Sequence, residues 1–176
     1  MKEIYLIRDA KAEGFCKDIS DFERVLSKKG MKDIQTIGSY MALQNITIDV
    51  LFSSCALRAQ ETALGIANRL SFEGEKHFLE ELYYGTCDDV LSILMAQESS
   101  CDTLFIVGHN PQLNELTNRL SREPILKIPS MGVVALTFDI KEWSELVNKK
   151  GTLKFFIYPK QFKYYMPRQI RTTLAL

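Results

Sequence analysis

Short β-rich apolar runs alternate with longer stretches of helical period, and this alternation is what most restricts the possible folds. Residues 2–8, "IDVLFSS" (48–54), "DTLFIVGH" (102–109), "VVALTFDI" (133–140) and "TLKFFIYP" (152–159) predict strands. Amphipathic segments separate the first three. "LSKKGMKDIQTIGSYMALQ" sets Leu26, Ile34, Ile37, Tyr40 and Met41 near one face, with Ser27 as N-cap. "ALRAQETALGIANRL" does the same with Leu57, Leu64, Ala67 and Leu70, and "DDVLSILMAQ" predicts a shorter helix. "NPQLNELTNRL" predicts a helix capped by Asn110, with Pro111 at the first helical position, where its missing N–H costs nothing. "KEWSELVNKKG" reads as a short helix or a long hairpin connection. Strand alternating with helix predicts an α/β fold around a largely parallel sheet. No repeat, low-complexity segment or linker interrupts the 176 residues, so a single domain over 1–176 is expected.

Ligands of such sheets bind beyond the carboxyl ends of the strands. Those ends carry Arg8-Asp9, then Ser53-Ser54 with Arg58 in the first turn of the next helix, then Gly108-His109. Guanidinium forks and helix N-termini both suit oxyanions, so the sheet edge predicts a phosphate pocket. No GxGxxG or GxxxxGK[ST] follows any predicted strand, which argues against a Rossmann or P-loop nucleotide site.

Charge and cysteine usage narrow the field further. Lys plus Arg and Asp plus Glu both number 22, which does not suit a general nucleic-acid binder. The uneven part is "PKQFKYYMPRQIR", where Lys160, Lys163, Arg168 and Arg171 have no acid among them and Phe162, Tyr164 and Tyr165 suggest packing. No segment approaches the roughly 18 apolar residues of a membrane helix, and the opening residues lack a signal-peptide core. Cys16, Cys55, Cys87 and Cys101 form no CxxC, against a zinc knot or a disulfide scaffold. A cytoplasmic protein with reduced thiols, no metal and no membrane association is expected. His77 and Trp143 read as structural residues.

The blocks at the strand ends resemble, in order, those of the histidine phosphatase superfamily with the phosphoglycerate mutase-like fold. "IYLIRDAKAE" (4–13) resembles the opening block, and "DFERVLSKKG" (21–30) a segment of the small SixA-type phosphohistidine phosphatases. "LFSSCALRAQETA" (51–63) resembles the second arginine block, "LEELYYG" (79–85) the acidic block and "LFIVGHNP" (104–111) the second histidine block. The resemblance spans roughly residues 2 to 125, and the short length favours the SixA-like branch. It implies a three-layer α/β/α sandwich and a metal-independent phosphatase without cofactor, acting on phosphohistidine on proteins or on small phosphomonoesters. It also implies that Arg8 and Arg58 clamp phosphate, that His109 binds and stabilises the phosphoryl oxygens, and that Glu81 protonates the leaving group, with Glu80 as competitor. Arg24 would position the first loop or form a plain salt bridge. Ser54 sits where relatives often have Pro, implying a local backbone change.

Asp9 departs from the resemblance, because relatives carry the nucleophilic histidine at that position. Two unit charges about 4 Å apart interact by roughly 4 kcal/mol at an effective dielectric near 20, so a carboxylate there repels phosphate. It could instead pair with Arg8 or Arg58 and compete for the clamp. An aspartate oxygen also reaches roughly an ångström less far than the distal imidazole nitrogen, and misplacement by about 1 Å can cost on the order of a hundredfold in rate. Aspartyl-phosphate chemistry generally has a metal to neutralise the anions. Two readings follow: a phosphatase whose nucleophile position alone is altered, or a non-catalytic module that binds phosphate or a phosphoprotein.

Overall fold

The computed structural model of the chain describes residues 1–165. Six strands form one sheet: β1 (Lys2–Arg8), β2 (Val50–Ser54), β3 (Lys76–Leu79), β4 (Thr103–Gly108), β5 (Val133–Phe138) and β6 (Thr152–Ile157). Their order is β3-β2-β4-β1-β5-β6. The β3-β2, β2-β4 and β4-β1 pairs are parallel, whereas β5 runs antiparallel to both β1 and β6. The sheet is therefore mostly parallel, as the alternation predicts.

Helices cover both faces, giving three layers. In β1, Ile4 and Leu6 face α3 (Cys87–Met95) and α4 (Gln112–Leu120), packing with Leu94, Leu113 and Leu116. Tyr5 and Ile7 alternate to the other face, against Ile37 and Met41 of α1 (Lys28–Leu43) and Ala63 and Ile66 of α2 (Leu57–Arg69). Because both faces are buried, the central strands read as near-continuous apolar runs. Phe162 of α5 (Pro159–Tyr165) is buried on this second face, with its ring edge-on to Tyr40 at 5.1 Å. Arg168, Arg171 and the rest of the basic C-terminal stretch beyond 165 lie outside the described residues.

Two local expectations change. β3 is an edge strand of four residues with two polar side chains, Lys76 and His77, too short for its period to stand out. His77 there stacks on Phe52 with centroids 5.3 Å apart and meets Glu75 at 3.2 Å. Helix α4 begins at Gln112, one residue later than predicted, with Pro111 in the cap position. Asn110 does not cap it, and its amide donates across to the Ile128 carbonyl at 3.0 Å. The β5–β6 connection is both of the forms anticipated, an antiparallel link carrying a short 3-10 turn, Trp143–Val147. Trp143 is fully buried and donates its indole N–H to the Cys101 carbonyl at 2.9 Å.

Helix α1 starts as the sequence suggests, with the Ser27 hydroxyl accepting from the Gly30 N–H at 3.1 Å. Gly30 is required for another reason. A Cβ on it would lie 2.2 Å from the Lys11 carbonyl oxygen, a backbone atom that cannot rotate away. Alanine raises helix propensity by about 1 kcal/mol over glycine, whereas overpacking costs typically 1–3 kcal/mol. At 2.2 Å the clash belongs to the upper end of that range and dominates: Gly30→Ala should destabilise the fold by up to about 2 kcal/mol, seen as a lower urea midpoint at unchanged m-value.

Candidate active site

The parallel register builds the site. Arg8 pairs with Gly108 across β1 and β4, and Ser53 pairs with Val107 across β2 and β4, so three strands end at one edge. Asp9 is the first residue beyond β1, and its N–H donates to the Gly108 carbonyl at 3.0 Å. The next residue on each chain segment therefore stands side by side: Asp9 and His109. The Ala10 N–H donates to Thr62 Oγ1 at 3.0 Å, and that hydroxyl donates to the Arg58 carbonyl at 2.7 Å. Thr62 thus ties the turn after β1 to the first turn of α2, where Arg58 sits.

The Asp9 carboxylate lies between the two groups expected to hold phosphate. Its Oδ2 accepts from Arg58 Nε at 2.9 Å, and its Oδ1 lies 3.1 Å from His109 Nδ1. Asp9 and Arg58 are both 9% exposed, so solvent screens this pair weakly. A carboxylate only accepts, so Nδ1 carries the proton that faces it. In the neutral ring Nε2 then accepts from the Ser54 hydroxyl, 2.8 Å away. Ser54 Oγ in turn accepts from the Ala56 N–H at 3.3 Å, consistent with that direction. The Arg58 Nη2 contact to Nδ1 is longer, 3.4 Å, and sets two donors facing each other; the Asp9 contact governs the tautomer.

Asp21 completes the cradle of Arg58. Its carbonyl accepts from Nη1 at 2.6 Å, and its carboxylate lies 3.1 Å from Nη2. Burial alone would raise the Asp21 carboxyl. Hydrogen bonds from Arg24 and Tyr83, with the Arg58 charge, outweigh burial and hold it below its ordinary value. Tyr83 donates its hydroxyl to Asp21 at 3.0 Å, and its ring stands edge-on to His109 with centroids 5.6 Å apart. Burial and the Asp21 carboxylate push the Tyr83 phenol up, so it remains a donor. Arg24 holds the first loop: Nε and Nη2 donate to the Glu13 carbonyl at 3.0 and 2.7 Å, and Nη1 meets Asp21 at 2.8 Å.

Of the residues singled out from the sequence, Arg8, Asp9, Arg58 and His109 line one cavity of about 680 Å³. Arg8 donates to the Ile128 carbonyl at 2.8 Å rather than to Asp9. Glu81 and Glu80 lie in a 3-10 turn, Glu80–Leu82, exposed and not in the cavity wall. The Glu81 carbonyl accepts from the Gln112 side chain at 2.7 Å. Both glutamates are near Cys55, whose thiol is pushed up first by its burial and then by their charge. Among the described residues no group of three or more His, Cys, Asp or Glu side chains is placed to hold a metal ion. No described helix is long and apolar enough to cross a membrane.

Asp21, Thr62 and Tyr83 have no role in the sequence reading. Ser54 was expected to signal only a backbone change, yet its hydroxyl orients His109. Each of these residues lies inside a block that resembles the family, but its partner is far along the chain.

Comparison with known proteins gives the fold and the family. A curated relative, an uncharacterized protein of Mycobacterium leprae (strain TN), is 25% identical over 166 residues, covering 88% of this chain and all of the relative. The protein histidine phosphatase SixA complexed with tungstate superposes with a TM-score of 0.80 at 20% identity, covering 91% of this chain and 99% of that one. A SixA-type structure from Agrobacterium tumefaciens gives 0.78 at 22% identity, covering 90% and 98%. These likenesses show that the fold is the phosphoglycerate mutase-like fold of SixA. A sequence model of the histidine phosphatase superfamily (branch 1) matches residues 4–102, more than half of the chain, and the chain belongs to that superfamily.

Proposed function

We propose that this protein is a SixA-type phosphatase scaffold for phosphohistidine on proteins or small phosphomonoesters, with hydrolysis strongly impaired by Asp9. The observation that carries the reading is the placement of the Asp9 carboxylate, 2.9 Å from Arg58 and 3.1 Å from His109. An anion belonging to the chain thus occupies the donors that a substrate phosphoryl group would use.

With histidine at position 9, the family's covalent route becomes available. The imidazole attacks phosphorus, the leaving oxygen departs with a proton, and water then releases phosphate from the phosphohistidine. Arg8, Arg58 and His109 stabilise the equatorial oxygens during both steps. Glu81 supplies and recovers the proton as general acid and base in this scheme, which requires the Glu80–Leu82 turn to bring its side chain over the cavity. With aspartate at position 9, the carboxylate both repels the phosphate and shares its clamp.

The Arg8 guanidinium favours a second reading, a phosphate- or phosphoprotein-binding module without turnover. Among the described residues no carboxylate pairs with Arg8, whose guanidinium donates to the Ile128 carbonyl, so a partial clamp persists while Asp9 is in place.

Hydrolysis of a chromogenic phosphomonoester and of a phosphohistidine protein separates the readings. Activity should appear in Asp9→His and be at least about a hundredfold lower in the chain as given. Silence in both forms would remove the enzyme reading in favour of the binding module. Full activity in the chain as given would overturn the role assigned to Asp9.

Removing only the charge tests the competition directly. Asp9→Asn should bind inorganic phosphate about ten- to a hundredfold more tightly than the chain as given, measured by calorimetry. Equal affinities would mean that Asp9 does not block the clamp.

A further inference from the structure

The cavity beside the clamp is larger and more basic than a single phosphoryl group requires. Its volume, about 680 Å³, lies in the range of roughly 300–1,000 Å³ typical of pockets for whole small molecules. Its walls carry Arg8, Lys11, Arg24, Lys28, Lys29 and Arg58, but only two acids, Asp9 and Glu13.

Most of these charges are already engaged. Arg58 meets Asp9 and Asp21, Arg24 meets Asp21, and Lys29 bridges to Asp33 one helical turn along α1. Asp9 is committed to Arg58 and His109. What remains among the described residues is Arg8, hydrogen-bonded only to a carbonyl, and the ammonium groups of Lys11 and Lys28, which have no hydrogen-bond or ion-pair partner. Glu13 is the sole wall acid left to set against these three cations.

The two lysines are held near each other by backbone contacts. The Lys11 carbonyl accepts from the Ser27 N–H at 2.9 Å and from the Ser27 hydroxyl at 2.8 Å, immediately before Lys28. Ala12 also bridges to Leu26 in antiparallel fashion. Gly30 allows the helix to close onto residue 11. An isolated surface lysine is ordinarily just solvated. Here two unneutralised lysines on fixed backbones line the same concave wall as a phosphate clamp, where the field is focused rather than dispersed.

We infer that Lys11 and Lys28 form a second anion subsite beside the clamp, suited to small ligands that carry two anionic groups. The inference rests on the clamp being a phosphate site, as proposed above. One group would sit on Arg8, Arg58 and His109, and the other on the lysine wall. The binding is reversible and involves no covalent step.

Calorimetry at low ionic strength tests this with two matched pairs of probes: inorganic phosphate against pyrophosphate, and fructose 6-phosphate against fructose 1,6-bisphosphate. The chain as given and Asp9→Asn are both titrated, so that the carboxylate cannot mask the result. In at least one pair the probe with two phosphoryl groups should bind about tenfold or more tightly than its partner with one. The Lys11→Ala/Lys28→Ala double variant should abolish that gap while changing the affinity for the one-phosphoryl probe by less than about twofold, and added salt should narrow the gap. Both lysines are exposed, so loss of folding is not expected, and an unchanged thermal midpoint verifies it. No gap in either pair with either protein, no binding of any probe, or equal loss for both members of a pair in the double variant would overturn the subsite. An inactive Asp9→His variant alongside a lysine-dependent gap would discard the phosphatase reading and keep the subsite. An active one without the gap would do the reverse.

Discussion

The hydrogen bond from the Asp9 N–H to the Gly108 carbonyl, 3.0 Å long, closes the β1–β4 ladder, and the site depends on it. In parallel pairing the register of the last rung decides which residues come next to each other beyond the sheet. Arg8 opposite Gly108 leaves Asp9 beside His109. The neighbouring β2–β4 pairing then brings Ser54 to the other side of the same imidazole. A main-chain bond, rather than attraction between carboxylate and imidazole, thus sets their meeting. Any side chain at position 9 is delivered to Arg58 and His109; the backbone chooses the place and the residue chooses the charge.

Arg58 does not depend on Asp9 alone. Its Nη1 and Nη2 are held by the Asp21 carbonyl and carboxylate, while only Nε serves Asp9. Removing one partner of a buried ion pair is usually costly because the other charge is stranded. Here Asp21 remains, and it stays ionised because Arg24, Tyr83 and Arg58 together overcome its partial burial. The guanidinium is therefore oriented whether position 9 holds an anion, a neutral group or nothing that reaches it. This is why the clamp can be described as competed for rather than created by Asp9.

How far the molecule could be read in advance follows from the range of each interaction. The central strands, α1 and α3 announce themselves, because burial on two faces or on one stripe leaves a period in the local sequence. By contrast, α2 is legible as a helix but buries Ala59, Ala63, Ile66 and Ala67 and leaves Leu64 of the expected face exposed. The edge strand β3 left none, having four residues and partial burial. Arg8, Arg58 and His109 could be placed together because strand ends in a parallel sheet share an edge. Ser54, Tyr83 and Asp21 could not, since their roles depend on partners 55, 62 and 37 positions away and on loop geometry that no period encodes. The Asp9 pairing was legible only as a choice between arginines. Register and the Arg8 contact to Ile128 decided it for Arg58, with His109 as an added partner.

The cavity accordingly has two halves with opposite electrostatic character. Around Asp9 the charges are internally matched: a carboxylate, a guanidinium and an imidazole, with Asp21 behind. Along Lys11 and Lys28 they are not. A phosphate entering the first half must displace a carboxylate fixed by the backbone, whereas an anion meeting the second displaces only water and counterions. Attraction in such a cleft falls steeply with salt, while displacement of a desolvated internal pair responds to it weakly. Replacing Asp9 by a neutral residue would make the two halves alike in sign, turning the whole cavity into one continuous anion site.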